Sequence, residues 1–127
     1  MESQEIKSYR DLRVWQTAID LSVEIYALTN DFPKSELYGM TGQMRRSSVS
    51  VAANIAEGYG RNSHGSFVQF LKVAQGSLKE LETHLIICER VGLMDAPAFE
   101  TILKRCEENG KMISGLIRAI QRRGNEQ

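Results

Sequence analysis

The chain has 127 residues, of which 42% are hydrophobic and 25% are charged, and these values are typical of one globular domain. Its 16 lysines and arginines balance its 16 aspartates and glutamates, and the net charge of zero argues against a strongly basic nucleic-acid-binding tail, although not against a local basic patch. No apolar run approaches the about 18–20 residues of a membrane span, and the first residues lack the apolar core of a signal peptide, so we expect a cytoplasmic protein without a membrane partner.

Hydrophobic residues recur at helical spacing in four segments separated by short breaks. Ser8 and Asp11 form a capping-box pattern before the first segment, and Pro33 breaks the chain after it. Ser63 and Asp95 are candidate N-caps of the third and fourth segments. Since no strand-like alternation or repeat is present, residues 1–127 are predicted to form a single all-α domain, an antiparallel up-down-up-down four-helix bundle. The predicted helices span about residues 9–30, 36–59, 64–91 and 96–122.

Glycines and other small residues are predicted to shape the second helix. Gly39 and Gly42 weaken its first turns, so we expect an irregular start, and Gly60 suits a left-handed position after its last turn. Gly92 is the corresponding glycine after the third helix. Small side chains between the large apolar ones allow neighbouring helices to come close, which predicts a central position for the second helix. These small residues are Ser47, Ser48, Ser50, Ala52, Ala53, Ala56 and Gly58.

A polar stripe crosses the second helix at spacings of four, four and three residues, and it consists of Arg46, Ser50, Asn54 and Glu57. Beside an apolar face, such a stripe predicts a partly buried structural seam, and buried polar groups need partners. We therefore expect a charge pair between the second and third helices. Its candidates are Arg45 or Arg46 on the second helix and Glu80 or Glu82 on the third. The alternative is a solvated helix face with separate exposed charges.

Two apolar stripes run along the first helix. One consists of Leu12, Trp15, Ile19, Val23 and Tyr26, and the other of Val14, Ala18, Leu21, Ile25, Leu28 and Phe32. A helix that faces a single core usually needs a narrower apolar face. The width therefore indicates either an interface with a second subunit or deep burial inside the bundle, and the pattern leaves both open.

No catalytic constellation is recognisable, so we predict a protein that is not an enzyme and that needs no cofactor and no metal. His64 and His84 lack a neighbouring set of ligands, although Glu80 and His84 at i, i+4 could share a face. The glycines at residues 58–65 lack the lysine and hydroxyl residue of a phosphate-binding loop. Cys88 and Cys106 are expected to be free, because their predicted heights along antiparallel helices differ by about 10 Å.

A specific pattern extends over roughly residues 9–93, and its longest part, residues 45–61, reads Arg-Arg-Ser-Ser-Val-Ser-Val-Ala-Ala-Asn-Ile-Ala-Glu-Gly-Tyr-Gly-Arg. The remaining parts are residues 11–16, 38–41, 67–71 and 76–83. The pattern resembles the four-helix-bundle proteins encoded in intervening sequences of bacterial 23S ribosomal RNA genes, which are often mislabelled as ribosomal proteins. It is more distantly similar to the accessory protein of diversity-generating retroelements, a pentameric bundle that assists a reverse transcriptase and binds nucleic acid. The resemblance implies a cytoplasmic homo-oligomer, a ring-like pentamer, while the biochemical function of the family is itself poorly defined.

Binding of structured RNA or DNA is the first functional hypothesis, and Arg61 with Ser63 lies at a predicted helix N-terminus, where backbone N–H groups can hold a phosphate. The candidate phosphate contacts are Arg45, Arg46, Arg61, Lys72, Lys79, Arg118, Arg122 and Arg123. The net charge of zero gives this hypothesis little support. The alternative is a structural or protein–protein interaction module that binds no nucleic acid, which the neutrality and the wide apolar face of the first helix favour. Binding that weakens steeply with added salt would distinguish the two.

Overall fold

The computed structural model describes residues 5–126, with side chains described up to Gly124. Four helices form one bundle, as the sequence predicts, and α1 packs on α2, α2 on α3, α3 on α4 and α4 on α1. They are α1 (Arg13–Thr29), α2 (Gly42–Tyr59), α3 (His64–Arg90) and α4 (Ala96–Glu126). The predicted boundaries hold within a few residues at most ends, and α4 continues four residues beyond its predicted end at residue 122.

Contacts between the helices show that neighbours run antiparallel. Between α2 and α3, Ser50 lies 2.8 Å from Ser77, while the later residue Gly58 lies against the earlier residue Phe67. Between α4 and α1, Asn109 bonds to Val14, whereas the earlier residue Arg105 forms an ion pair with the later residue Glu24. In the other two pairs of neighbouring helices, later residues of one helix also contact earlier residues of the next. All four pairs are therefore antiparallel, which agrees with an all-α up-down-up-down bundle.

The helix boundaries follow from the local signals that the sequence carries. The predicted capping box of Ser8 and Asp11 is present, but it opens a short 3₁₀ turn, Tyr9–Asp11, which the extended backbone of Leu12 separates from α1. The predicted N-caps also form, since Ser63 Oγ accepts from the Ser66 N–H at 3.1 Å and Asp95 Oδ1 from the Ala98 N–H at 2.9 Å. Capping of this kind satisfies amide groups that the first turn of a helix leaves free.

The segment between α1 and α2 has the irregular backbone that its glycines predict. A 3₁₀ turn at Lys34–Glu36 leads into a π-helical turn at Leu37–Thr41, within which Gly39 leaves the helical region at φ −105° and ψ −113°. Gly92 has the predicted positive φ, 82°. The left-handed conformation predicted for Gly60 is wrong, because α2 ends in a right-handed turn in which the Gly60 N–H still bonds to the Ala56 carbonyl at 3.2 Å.

Apolar side chains from all four helices fill the interior. On α1, Val14, Ala18, Leu21 and Ile25 from one of the two predicted stripes are buried. The other stripe is only partly covered: Leu12, Trp15 and Ile19 pack against the edge of the core, whereas Val23 and Tyr26 remain 62% and 46% exposed. The stripe that contains Val14 is therefore buried in the bundle, and the stripe that contains Leu12 leaves apolar surface outside it, whose role as a subunit interface stays a prediction.

Helix α2 approaches α3 most closely where it has no side chain. A β-carbon added at Gly58 would lie 2.7 Å from Phe70 Cβ and 3.0 Å from Phe67 Cδ1, and real β-carbons are not found so close to other atoms. By contrast, a β-carbon at Gly76, in the middle of α3, would meet nothing within 4 Å. The two glycines therefore have different roles, since only Gly58 is needed for packing.

We predict opposite effects of adding a methyl group at these glycines. Gly58→Ala should lower the free energy of unfolding by about 1–3 kcal/mol, because α2 and α3 must move apart to relieve the overlap. Gly76→Ala is the matched control and should raise it by about 0.5–1 kcal/mol, because alanine is the better residue inside a helix. Urea denaturation monitored by circular dichroism measures both values. Equal stability of the two variants would contradict the close approach of α2 and α3.

Candidate nucleic-acid interface

A basic groove of about 790 Å³ runs between α3 and α4. Both helices contribute a glycine there: Gly76 of α3 faces open space, whereas Gly110 of α4 lies so close to Leu78 of α3 that an added β-carbon would be 3.3 Å from Leu78 Cδ2. We call it the α3/α4 groove. The ten lining residues are Lys72, Gln75, Gly76, Leu78, Lys79, Glu107, Gly110, Lys111, Ser114 and Arg118.

One hydrogen bond crosses the α3/α4 groove and shows how its two sides are aligned. Gln75 Nε2 of α3 donates to Ser114 Oγ of α4 at 2.9 Å across it. Since the helices are antiparallel, Lys72 and Arg118 lie on one side of this bond along the groove. Lys79 and Lys111 lie on the other side of the bond. The groove therefore has a pair of cations at each end, and each pair combines one residue from each helix.

Positive charge dominates the α3/α4 groove although the whole chain is neutral. Four cations and a single carboxylate, that of Glu107, line it, which gives the groove a net charge of +3. Lys79 also pairs with Glu82 at 3.2 Å, but the lysine side chain is 72% exposed, and surface pairs of this kind are weak. Within residues 5–124, Lys72, Lys111 and Arg118 form no ion pair. Most of the positive charge is therefore not neutralised inside the protein.

The other predicted phosphate contacts lie apart from the α3/α4 groove. Arg61 forms an ion pair with Glu57 at 2.9 Å and lies over the Phe70 ring, while Ser63 is engaged in capping α3. Arg45 lines a separate pocket beside α1, and Arg46 is exposed on α2. Two more, Arg122 and Arg123, are exposed near the end of α4 without lining the groove. The groove thus brings together three of the eight, namely Lys72, Lys79 and Arg118.

The predicted polar seam forms only at its centre. Ser50 Oγ lies 2.8 Å from Ser77 Oγ of α3, and Asn54 Nδ2 donates to Ser50 Oγ at 3.0 Å. Arg46 and Glu57, at the two ends of the stripe, are exposed, as the alternative of a solvated face predicts. The stripe is therefore a short hydroxyl and amide cluster between α2 and α3, with charged residues in solvent at either side.

The predicted charge pair between α2 and α3 is wrong. Arg45 points toward α1, where its Nε donates to Thr29 Oγ1 at 3.0 Å. On α3, Glu82 instead pairs with Lys79, and Glu80 Oε1 lies 3.4 Å from His84 Nε2, so Glu80 and His84 do share a face. The physical reason is how far each helix is rotated about its axis. Arg45 faces α1 and not α3, and each glutamate has a closer partner one turn away in its own helix.

Both cysteines are free and buried, as the sequence predicts. Burial, with a smaller contribution from the carboxylate of Glu36, raises the pKa of the Cys88 thiol to about 11. Burial, together with the carboxylates of Glu82 and Glu107, raises the pKa of the Cys106 thiol to about 12. Since the thiolate is the nucleophilic form, both side chains are inert at neutral pH.

Sequence reasoning missed the other four polar or charged residues of the α3/α4 groove: Gln75, Glu107, Lys111 and Ser114. A usable signal was present for Lys111, because Lys111 and Arg118 repeat at seven residues on α4, as Lys72 and Lys79 do on α3. Two such repeats place both pairs on one face of each helix. Gln75 and Ser114 carry no such signal, because their contact depends on the register of α3 against α4.

In the part of the chain that the structure describes, no helix is both long enough and apolar enough to cross a membrane. Among the same residues, no cluster of three or more histidine, cysteine, aspartate or glutamate side chains is arranged to hold a metal ion.

The fold is similar to that of a solved structure. A crystal structure of a protein with unknown function from the S23 ribosomal protein family of Bacteroides thetaiotaomicron VPI-5482 matches with a TM-score of 0.74 at 24% sequence identity. The match covers 82% of this chain and 97% of that chain, and at this identity it shows the fold alone. Comparison with curated proteins gives no significant match. The family model for the 23S rRNA-intervening sequence protein matches residues 10–115, and the chain therefore belongs to that family.

Proposed function

We propose that this protein is a non-enzymatic, cytoplasmic bundle that binds the phosphate backbone of structured RNA or duplex DNA through the α3/α4 groove. The observation that carries the proposal is the concentration of positive charge, a net +3 in one groove of a chain whose net charge is zero. Lysine and arginine side chains that neutralise phosphates release counterions, and this release drives most backbone binding. The groove supplies four such side chains on one surface.

The spacing of the cations suits a polymer of phosphates. Lys72 and Lys79 are two helical turns apart, as are Lys111 and Arg118, which corresponds to a rise of about 10 Å along each helix. This separation is too large for one phosphate group to bridge, so the two ends of the groove would meet different phosphates of a strand. A single small anion could contact only one end at a time.

The composition of the α3/α4 groove also indicates how it would read a nucleic acid. None of its ten lining residues is aromatic, so the groove offers no platform on which a base could stack. Phosphate contacts fix the position and orientation of a nucleic acid but carry no sequence information. We therefore expect binding that depends on the shape of the backbone and on salt, with little preference for sequence.

We further propose that the protein is a homo-oligomer, with five copies as the number that the family resemblance implies. The half-covered stripe of α1 supports this proposal, because Val23 and Tyr26 expose apolar surface next to the partly buried Trp15 and Ile19. Contiguous exposed apolar surface of this kind is typical of interfaces. A symmetric assembly would also repeat the α3/α4 groove once per subunit, and the copies would act on one nucleic acid together.

Removing two groove charges should weaken nucleic-acid binding. We expect Lys72→Gln with Lys111→Gln to lower the affinity for a structured RNA hairpin or a DNA duplex by at least about tenfold at physiological salt. The slope of log affinity against log salt should decrease by about two, because two phosphate contacts are lost. Fluorescence anisotropy over a salt series measures both quantities.

The matched control is Lys7→Gln with Lys104→Gln, which removes two exposed lysines that lie outside the α3/α4 groove. This variant should retain the affinity and the salt slope of the unchanged protein. If both double variants bind equally well, the groove is not the site. If the unchanged protein binds neither RNA nor DNA, the alternative of a protein–protein interaction module takes the place of this proposal.

A charge on the exposed α1 stripe should dissociate the oligomer. Val23→Glu adds a carboxylate at a position that is 62% exposed in the single chain, so the fold should tolerate it while an apolar interface should not. Light scattering should then report the 14.3 kDa of one chain in place of a multiple of it. Val91→Glu is the matched control, at 64% exposure near the end of α3, and should keep the mass of the unchanged protein. A Val23→Glu protein with unchanged mass would exclude this face as the interface.

A further inference from the structure

A second, smaller pocket of about 230 Å³ lies between the other two helices, where α1 ends and α2 begins. The irregular segment between these helices forms one of its walls. Two cations line it, Lys34 and Arg45, and no carboxylate does. Its volume is below the about 300–1,000 Å³ typical of sites for drug-sized ligands. The pocket therefore suits one small charged group and not a nucleotide.

Arg45 is held in a fixed position with most of its donors unused. Its Nε donates to Thr29 Oγ1 at 3.0 Å, and Thr29 Oγ1 donates in turn to the Ile25 carbonyl at 2.7 Å. The guanidinium group lies over the Tyr26 ring, 4.7 Å from its centroid. A guanidinium has five N–H donors. The remaining four, on the two Nη atoms, form no hydrogen bond within residues 5–124.

Thr41, another residue that lines the pocket, has a buried hydroxyl without a partner. The residue is 3% exposed and lines the pocket, and its Oγ1 has no hydrogen-bond partner in the described part of the chain. Thr41 precedes α2, but its own backbone is already helical at φ −57° and ψ −51°, so its side chain does not cap the helix. Buried hydroxyls without a partner are uncommon in folded proteins because they lose their bonds to water.

Backbone groups at both helix ends beside the pocket are already engaged in hydrogen bonds. At the start of α2, the Gly42 N–H bonds to the Gly39 carbonyl of the preceding turn. At the C-terminal end of α1, the Tyr26 and Thr29 carbonyls already accept bonds from the Asn30 and Phe32 N–H groups, both at 3.0 Å. The pocket therefore combines two full positive charges with unused N–H donors and an unpartnered hydroxyl, and the carbonyl of its lining residue Thr29 is engaged.

We propose that this pocket binds a single oxyanion, of the kind carried by a phosphate monoester or a carboxylate. The Nη groups of Arg45 and the hydroxyl of Thr41 donate hydrogen bonds to its oxygens, and Lys34 supplies the second positive charge. An anion at this position would accept hydrogen bonds from the donors that the fold leaves unused. Charge-assisted hydrogen bonds from a guanidinium are among the strongest available to a protein. The site is separate from the α3/α4 groove and does not depend on nucleic-acid binding.

The test is a titration of the whole ¹⁵N-labelled protein with inorganic phosphate, with chloride adjusted to keep the ionic strength constant. The amide signals of Gly39, Thr41 and Gly42 should shift and saturate, while those of Gly76 and Gly110 in the α3/α4 groove should not. Parallel titrations with methyl phosphate and with acetate distinguish a phosphate monoester from a carboxylate as the bound group. Shifts that do not saturate, or that occur only in the groove, would overturn the proposal.

Thr41→Val and Arg45→Lys separate the two donors from general charge effects. Thr41→Val keeps the shape and removes the hydroxyl, and Arg45→Lys keeps the charge and removes the planar donors. Each should weaken phosphate binding by about tenfold or more, which is the range for one charge-assisted bond. Thr101→Val is the matched control, because Thr101 is an exposed threonine of α4 outside the pocket, and it should bind phosphate normally. Unweakened binding by both pocket variants would refute the assignment.

Thermal unfolding gives a second readout that does not require the binding to be tight. Without phosphate, Thr41→Val should be at least as stable as the unchanged protein, because it removes an unpartnered hydroxyl. Phosphate should raise the Tm of the unchanged protein and leave that of Thr41→Val nearly constant, since only a bound ligand stabilises by mass action. A Thr41→Val protein that is less stable without phosphate and equally stabilised by it would show that the hydroxyl has a purely structural partner. The same variant should bind RNA or DNA normally, so failure of this proposal is distinguishable from failure of the groove.

Discussion

The close approach of α2 to its two neighbours is the constraint on which the rest of the bundle depends. Hydroxyl groups meet across both contacts, Ser48 with Ser22 of α1 at 3.2 Å and Ser50 with Ser77 of α3 at 2.8 Å. At Gly58 the packing against Phe70 leaves no room for a β-carbon. Side chains this short allow helix axes to lie toward the near end of the about 8–10 Å range. Because α1 and α3 are both fixed against α2, only α4 is left to close the bundle, and its fit decides which surfaces stay open.

The two candidate sites arise where this close packing ends. At the α1–α2 connection, Gly39 interrupts the helical backbone and Thr41 enters α2 with its hydroxyl uncommitted. Between α3 and α4, Gly76 adds no side chain to the groove, and long lysine side chains border it with their heads in solvent. Glycine thus has two roles in this protein. At Gly58 and Gly110 it allows a neighbouring helix to come close, and at Gly76 it leaves open space.

The sequence predicted the fold because its signals are local. Caps at Ser8 and Ser63, the break at Pro33 and apolar residues at helical spacing each act within a few residues of the chain. The errors concern longer-range geometry. The pairing expected between Arg45 and Glu80 or Glu82 required knowing how far each helix is rotated, and periodicity does not give that angle. The α3/α4 groove could be predicted only in part for the same reason. Periodicity shows which residues share one face of a helix, but it does not show which faces of two helices meet.

One buried polar group connects the register of α4 to the charge pattern of the α3/α4 groove. Asn109 is fully buried, and its Nδ2 donates to the Val14 carbonyl of α1 at 3.2 Å. Apolar contacts are not directional, so this bond specifies the register of α4 more strictly than they do, for example against a shift by one turn, about 5.4 Å. Such a shift would break this hydrogen bond and leave the buried amide of Asn109 without an acceptor, which is costly. It would also move Lys111 and Arg118 by the same distance relative to Lys79 and Lys72. A single amide in the core, two residues from Lys111, therefore favours the register in which the cations of the two helices face each other in pairs.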